Sequence, residues 1–142
     1  MKKPKKLLYK KNTLAYSLML VYILALIIYV IYVLRSMTVT YSIAGVSLVN
    51  IITLLVAFLV AEEIKIYNRK YQIVPMVFAS IQLYQLVNIP VGLTGTNLVI
   101  VYISGIIAIF CSVTASLVSI YKNRIRARVI EENNVKATHL AK

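Results

Sequence analysis

The basic residues of this chain lie between its apolar segments and concentrate on alternate sides of them. Fifteen of the 16 lysine and arginine residues occur in residues 1–11, 62–72 and 121–142. The other two connectors, residues 35–42 and 92–97, carry only Arg35 between them. Because positively charged loops are retained on the cytoplasmic side during insertion, this alternation predicts four membrane crossings with both termini in the cytoplasm.

The composition is typical of a membrane protein. Of its 142 residues, 61% are apolar, whereas soluble domains average about 45–50%. The net charge of +12 would suggest a nucleic-acid partner in a soluble chain. Here the charge flanks apolar spans, so we expect the anionic headgroups of a lipid bilayer as a partner, and no nucleic acid.

Four uncharged segments are long enough for a helix to cross the hydrocarbon core. The predicted helices cover residues 14–34, 43–61, 73–89 and 98–121. The predicted fold is an all-α integral membrane protein, with an antiparallel four-helix transmembrane bundle over residues 14–128. A basic cytoplasmic N-terminus, residues 1–13, precedes the bundle, and a polar cytoplasmic tail, residues 129–142, follows a basic juxtamembrane extension. Small size and Lys-, Ile- and Tyr-rich usage favour the plasma (inner) membrane of a bacterium.

Predicted helices one and four carry complementary side chains at alternating spacings of three and four residues. Helix four presents small residues and helix one presents tyrosines, and close packing of this kind drives helix association in lipid. The two helices run antiparallel, so a ridge of tyrosines can lie against a groove of small residues. The predicted packing seam consists of Tyr22, Tyr29, Gly105, Ala108, Ser112 and Ala115. The alternative is that small residues are simply common in membrane helices.

Predicted helices two and three carry amide side chains near the membrane midplane. This polar cluster consists of Asn50, Gln82, Gln85 and Asn88. Amides that face lipid leave hydrogen-bonding groups unpaired, so we expect these side chains to face protein or water. One interpretation is hydrogen bonding between helices, worth about 0.6 kcal/mol per bond. The other is a polar path or a small-solute site.

The predicted spans contain no Asp, Glu, His, Lys or Arg. Proton-coupled transporters and membrane enzymes place such residues inside the membrane. The single cysteine, Cys111, lies in an apolar stretch that disfavours the reactive thiolate, and the only histidine, His139, is close to the C-terminus. We therefore predict no enzymatic activity, no catalytic residue, no metal and no cofactor.

Four basic residues follow predicted helix four directly. They are Lys122, Arg124, Arg126 and Arg128. Anionic headgroups attract such residues by about 1 kcal/mol each, so we predict a lipid contact through a short amphipathic helix on the membrane surface. The acidic face of a partner protein is the alternative.

Together these patterns favour a non-catalytic accessory or assembly subunit of a larger membrane complex. The alternative is a homo-oligomeric pore or small-solute transporter that uses the midplane amides. The expected protein partner is another membrane protein in the first case and copies of this chain in the second.

Overall fold

The computed structural model of the protein describes residues 11–35, 41–89 and 93–140, except for the side chains of residues 41, 42 and 132–140. Four α-helices and one 3₁₀ helix account for most of these residues, and no strand occurs among them. The α-helices are α1 (Thr13–Arg35), α2 (Tyr41–Lys65), α3 (Val74–Val87) and α4 (Gly95–Leu140), and the 3₁₀ helix spans Arg69–Tyr71. The predicted all-α class is confirmed.

Three of these helices are long and apolar enough to cross a membrane, judged by length and composition. They are α1, α2 from Ile43 onward, and α4 as far as Glu131. In contrast, α3 has only 14 residues, which is about 21 Å of helix against a hydrocarbon core of roughly 30 Å. The three long helices indicate a membrane protein, while the fourth crossing stays a prediction.

Helix α2 continues about one turn beyond the apolar segment, to Lys65, as the helix-forming residues from Glu62 onward predict. It stops in a defined backbone motif. The N–H of Tyr67 donates to the carbonyl of Ile64, and the N–H of Asn68 donates to the carbonyl of Glu63. This pair of bonds is the capping pattern that needs a left-handed residue after the helix, a position that usually holds glycine. Tyr67 takes that conformation, with φ of 64°.

Helix α3 is shorter than the predicted segment 73–89. Pro75 lies in its first turn, where the missing N–H would have had no partner in the helix. At the other end Asn88 is the cap, and its backbone N–H donates to the carbonyl of Tyr84 at 3.1 Å.

Helix α4 is much longer than the predicted segment 98–121. It continues without a break through Leu140, so most of the predicted polar tail is helical. Residues 122–131 are mainly arginine, lysine, alanine, glutamate and isoleucine, which are compatible with a helix in water. Charge excludes this segment from the hydrocarbon core but does not end the helix.

The helices pack in the order α2, α1, α4, α3. The largest interface joins α1 and α4, while α2 packs mainly on α1, and α3 packs on α4. Few contacts join α2 and α3, the two outer helices. On α1 the buried face recurs at the spacing of a helix-packing stripe, and it consists of Ala15, Met19, Tyr22, Ala25, Leu26, Tyr29 and Val33.

Apart from Arg35, the described basic residues gather at one end of the helical assembly, which we call the basic end. The backbone N–H of Asn12, just before α1, donates to the carbonyl of Lys65 at the end of α2, at 2.9 Å. At the same end the guanidinium of Arg126 in α4 lies over the ring of Tyr67, 4.9 Å from its centroid. The opposite end holds Arg35, the last residue of α1.

Candidate functional site

The structure buries three of the four predicted amides. Asn50 and Gln82 are each only 1% exposed and Gln85 is 7% exposed. Asn88 differs, because it is exposed at the end of α3 and its side-chain nitrogen donates to the carbonyl of Tyr84, at 2.9 Å. The polar cluster inside the protein therefore consists of Asn50 on α2 and of Gln82 and Gln85 on α3.

These buried amides are not hydrogen-bonded to one another. Asn50 donates from Nδ2 to the carbonyl of Val46 in its own helix at 2.9 Å, and its Oδ1 has no partner among the described residues. Gln82 Nε2 and Gln85 Oε1 are likewise buried without a partner in that part of the chain. Because unpaired buried polar atoms are costly, this cluster differs from a satisfied structural network.

A cleft of about 550 Å³ lies between α2 and α3. Its walls are mainly apolar and include Val46 and Val49 of α2 and Val77 and Ile81 of α3. Gln85 is also among the residues that line it. The cleft follows from the packing order, since α2 and α3 rest on different central helices.

The predicted small-residue seam lies on the buried face of α4. Ala108, Ser112 and Ala115 have no exposed surface. At Gly105, an ideally placed Cβ would lie 2.6 Å from a methyl carbon of Leu86 in α3, so glycine permits the close approach of α3 there. Ser112 also reaches α3, because its hydroxyl donates to the carbonyl of Pro75. Helix α4 thus packs small residues against α3 as well as carrying the large α1 interface.

The two predicted tyrosines of α1 are buried, and one of them also reaches α3. Tyr22 and Tyr29 are each 1% exposed. The ring of Tyr22 stacks on the ring of Phe78 in α3, with centroids 5.8 Å apart and planes 8° from parallel. The sequence analysis missed Phe78, because no spacing pattern within α3 identifies its aromatic partner on α1.

A second residue that the sequence analysis missed is Gln72, which precedes α3. Its carbonyl accepts a hydrogen bond from the Ser116 hydroxyl at 2.7 Å, and its side-chain Oε1 accepts one from Asn123 Nδ2 at 3.1 Å. The α2–α3 connection, residues 66–73, is therefore held against α4 at the basic end. Gln72 stands in a charged stretch of the sequence, where it gives no signal of this role.

The four basic residues of the predicted lipid contact face two environments. Arg126 is half-buried and lies over Tyr67, while Lys122 is half-buried as well. Arg124 and Arg128 are exposed and stand four residues apart, so they share one face of α4. Arg126 helps to hold α4 against the connection, and the other two arginines are available to a partner.

In the described part of the chain, no group of three or more His, Cys, Asp or Glu side chains comes together. Cys111 is buried in α4.

No protein-family model matches the sequence, and neither does any curated protein or solved structure.

Proposed function

We propose that this chain is a non-catalytic accessory or assembly subunit of a larger membrane complex. The observation that best supports the proposal is the unbroken length of α4, which has 46 residues. At 1.5 Å per residue this is about 69 Å, more than twice the roughly 30 Å hydrocarbon core. The part beyond predicted helix four, residues 122–140, forms a helical arm of about 28 Å, which we call the α4 arm.

The α4 arm is suited to a protein partner with an acidic surface. Its base is fixed to the α2–α3 connection through Asn123 and Arg126, so it is positioned before any partner binds. Each headgroup layer is only about 5–8 Å thick. An arm that runs along the membrane normal places Arg128 beyond the headgroup layer. Lipid does not cover Arg128 there, but the surface of a partner protein can.

The backbone of Tyr67 supports a specific role for this base. A non-glycine residue in the left-handed region costs about 1–2 kcal/mol. The two capping hydrogen bonds at the end of α2 hold Tyr67 in this conformation, and its ring lies under the Arg126 guanidinium. Conformational strain of this kind concentrates at functional positions. We infer that the contact between Tyr67 and Arg126 sets the direction of the α4 arm.

The proposal includes four crossings, with both termini and the basic end in the cytoplasm of a bacterial inner membrane. In a Cys111→Ser background, single cysteines at positions 10, 69 and 136 should react with a membrane-impermeant maleimide only after permeabilisation. Cysteines at positions 37 and 94 should react in intact cells. The physical reason is the 15-to-1 distribution of basic residues. Labelling of position 136 from outside would contradict this topology.

The subunit proposal is tested by the mass of the complex after mild detergent extraction at native expression levels. A distinct partner protein should co-purify in fixed stoichiometry. The Arg124→Gln/Arg128→Gln variant should co-purify with at least about tenfold less of that partner, since two charge-assisted contacts are removed. Arg35→Gln, which neutralises an arginine at the opposite end, is the control and should retain it. Retention of the partner by the double variant would show that the α4 arm is not the binding element.

The second candidate function is a homo-oligomeric pore or small-solute transporter. The unpaired atoms of Asn50, Gln82 and Gln85 favour it, because water in a polar path would satisfy them. The same mass measurement separates the two candidates, since a pure homo-oligomer supports the pore.

A further inference from the structure

The cleft between α2 and α3 has the size of a small-ligand site. Its volume of about 550 Å³ falls within the roughly 300–1,000 Å³ of typical ligand pockets. A helix about 10 Å across would fill that volume with roughly one turn. The cleft therefore suits an acyl chain or a compact molecule better than a transmembrane helix of a partner.

The walls of the cleft select for an uncharged ligand. Val46, Val49, Val77 and Ile81 present apolar surface, and no charged side chain is among the described residues that line it. A charge brought into such surroundings without a counter-charge is strongly disfavoured. The main body of the ligand must accordingly be apolar and neutral.

Gln85 adds a requirement for one hydrogen-bond donor. Its side chain lines the cleft and is 7% exposed, and its Oε1 is buried without a partner among the described residues. This oxygen has almost no exposed surface, so a ligand hydroxyl can donate to it only once the amide turns toward the cleft, whereas an ether or ester oxygen has no hydrogen to donate.

A second cavity lacks this requirement. It measures about 380 Å³, lies between α1 and α4, and has Ser104 as its polar lining residue. The Ser104 hydroxyl already donates to the carbonyl of Val101 at 3.1 Å. Ser80 and Tyr84 also line the α2/α3 cleft, but the Ser80 hydroxyl already donates to the carbonyl of Met76 and Tyr84 is 70% exposed. Gln85 is therefore the lining residue whose polar group is both buried and unpaired.

We infer that the α2/α3 cleft binds a neutral lipid with a free hydroxyl group, of the diacylglycerol or long-chain alcohol class. Gln85 lies two residues before the end of α3 at Val87, in the half of the assembly away from the basic end. The lipid hydroxyl bonds to Gln85 in that half, and an acyl chain runs along Ile81 and Val77 toward the middle of the membrane. This site does not depend on the proposed accessory function.

The test uses the full chain in phosphatidylcholine nanodiscs that contain diacylglycerol with a diazirine in one acyl chain. After illumination, peptide mass spectrometry should find the label concentrated near Val49 and Ile81. Unlabelled diacylglycerol should compete about five- to tenfold better than its O-methyl ether, which is the effect of one hydrogen bond. Two results with the parent protein would overturn the inference. One is equal competition by diacylglycerol and its O-methyl ether, and the other is label spread evenly over all lipid-facing helices.

Variants of the cleft provide the matched comparison. Val49→Phe fills the cleft and should lower labelling about tenfold, while Leu55→Phe, at a 67% exposed position of α2, should leave it unchanged. Gln85→Leu should abolish the preference for the alcohol over its ether. Equal labelling of the two phenylalanine variants, or protection of the cleft by a second copy of the chain, would contradict a lipid site.

Discussion

The Ala108→Phe variant should unfold at a much lower denaturant concentration than the parent protein. Ala108 has no exposed surface and lies on the buried face of α4. Its neighbours on α4 are packed against α3, Gly105 on the Leu86 side chain and Ser112 on the Pro75 carbonyl, so an added ring finds no free space there. Overpacking of this kind lowers the free energy of unfolding by about 1–3 kcal/mol or more. The measurement is loss of helical circular dichroism as sodium dodecyl sulfate is added to dodecylmaltoside micelles.

The matched control is Ile106→Phe on the same helix. Ile106 is 58% exposed, so the larger side chain can extend outward, and we expect a change within about 0.5 kcal/mol. Equal stability of the two phenylalanine variants would show that Ala108 faces lipid. The buried face of α4 would then be assigned wrongly, along with the packing order that depends on it.

The helical class could be predicted because lipid imposes a simple rule on sequence. Long uncharged apolar segments indicate helices, and α1 begins and ends within one residue of the predicted segment 14–34. The extent of α4 could not be predicted in this way. Hydropathy reports where the hydrocarbon ends, whereas the helix continues as long as its residues favour helical backbone. The basic residues after Tyr121 mark the end of the hydrocarbon core. The sequence analysis took them as the end of the helix as well.

The burial of three of the four amides in the predicted cluster could be anticipated from the sequence, but Asn88 is exposed and the bonding of the other three could not be anticipated. Amides avoid lipid, so the burial of Asn50, Gln82 and Gln85 follows from residue type and spacing. Whether they bond to one another depends on the separation of α2 and α3. That separation is set by what each helix packs against, and no periodicity within one helix records it. The stacking of Tyr22 on Phe78 escaped prediction for the same reason.

The Asn50→Leu/Gln82→Leu variant is expected to be more stable than the parent protein by about 2 kcal/mol. Each unpaired buried polar group costs roughly 1–3 kcal/mol, and the bond from Asn50 to the Val46 carbonyl contributes only about 1 kcal/mol in the opposite direction. Gln85 is left in place, so the α2/α3 cleft keeps its hydrogen-bond acceptor. The same detergent titration measures the change. Asn88→Leu is the control, because Asn88 is exposed and bonds within its own helix, and it should not gain stability.

Glycerol flux into vesicles reconstituted with the double variant then separates the subunit from the pore. If no water reaches the amides, their unpaired atoms destabilise the folded state, and replacing them with leucine raises the free energy of unfolding. The vesicles then stay as impermeable to glycerol as those that contain the parent protein. In a pore, water already satisfies those atoms, and leucine gains no stability while it makes the path apolar. We expect the first result, measured by light scattering after rapid mixing with glycerol. A double variant with unchanged stability and at least a tenfold loss of glycerol flux would support the pore, because only a hydrated path links those two effects.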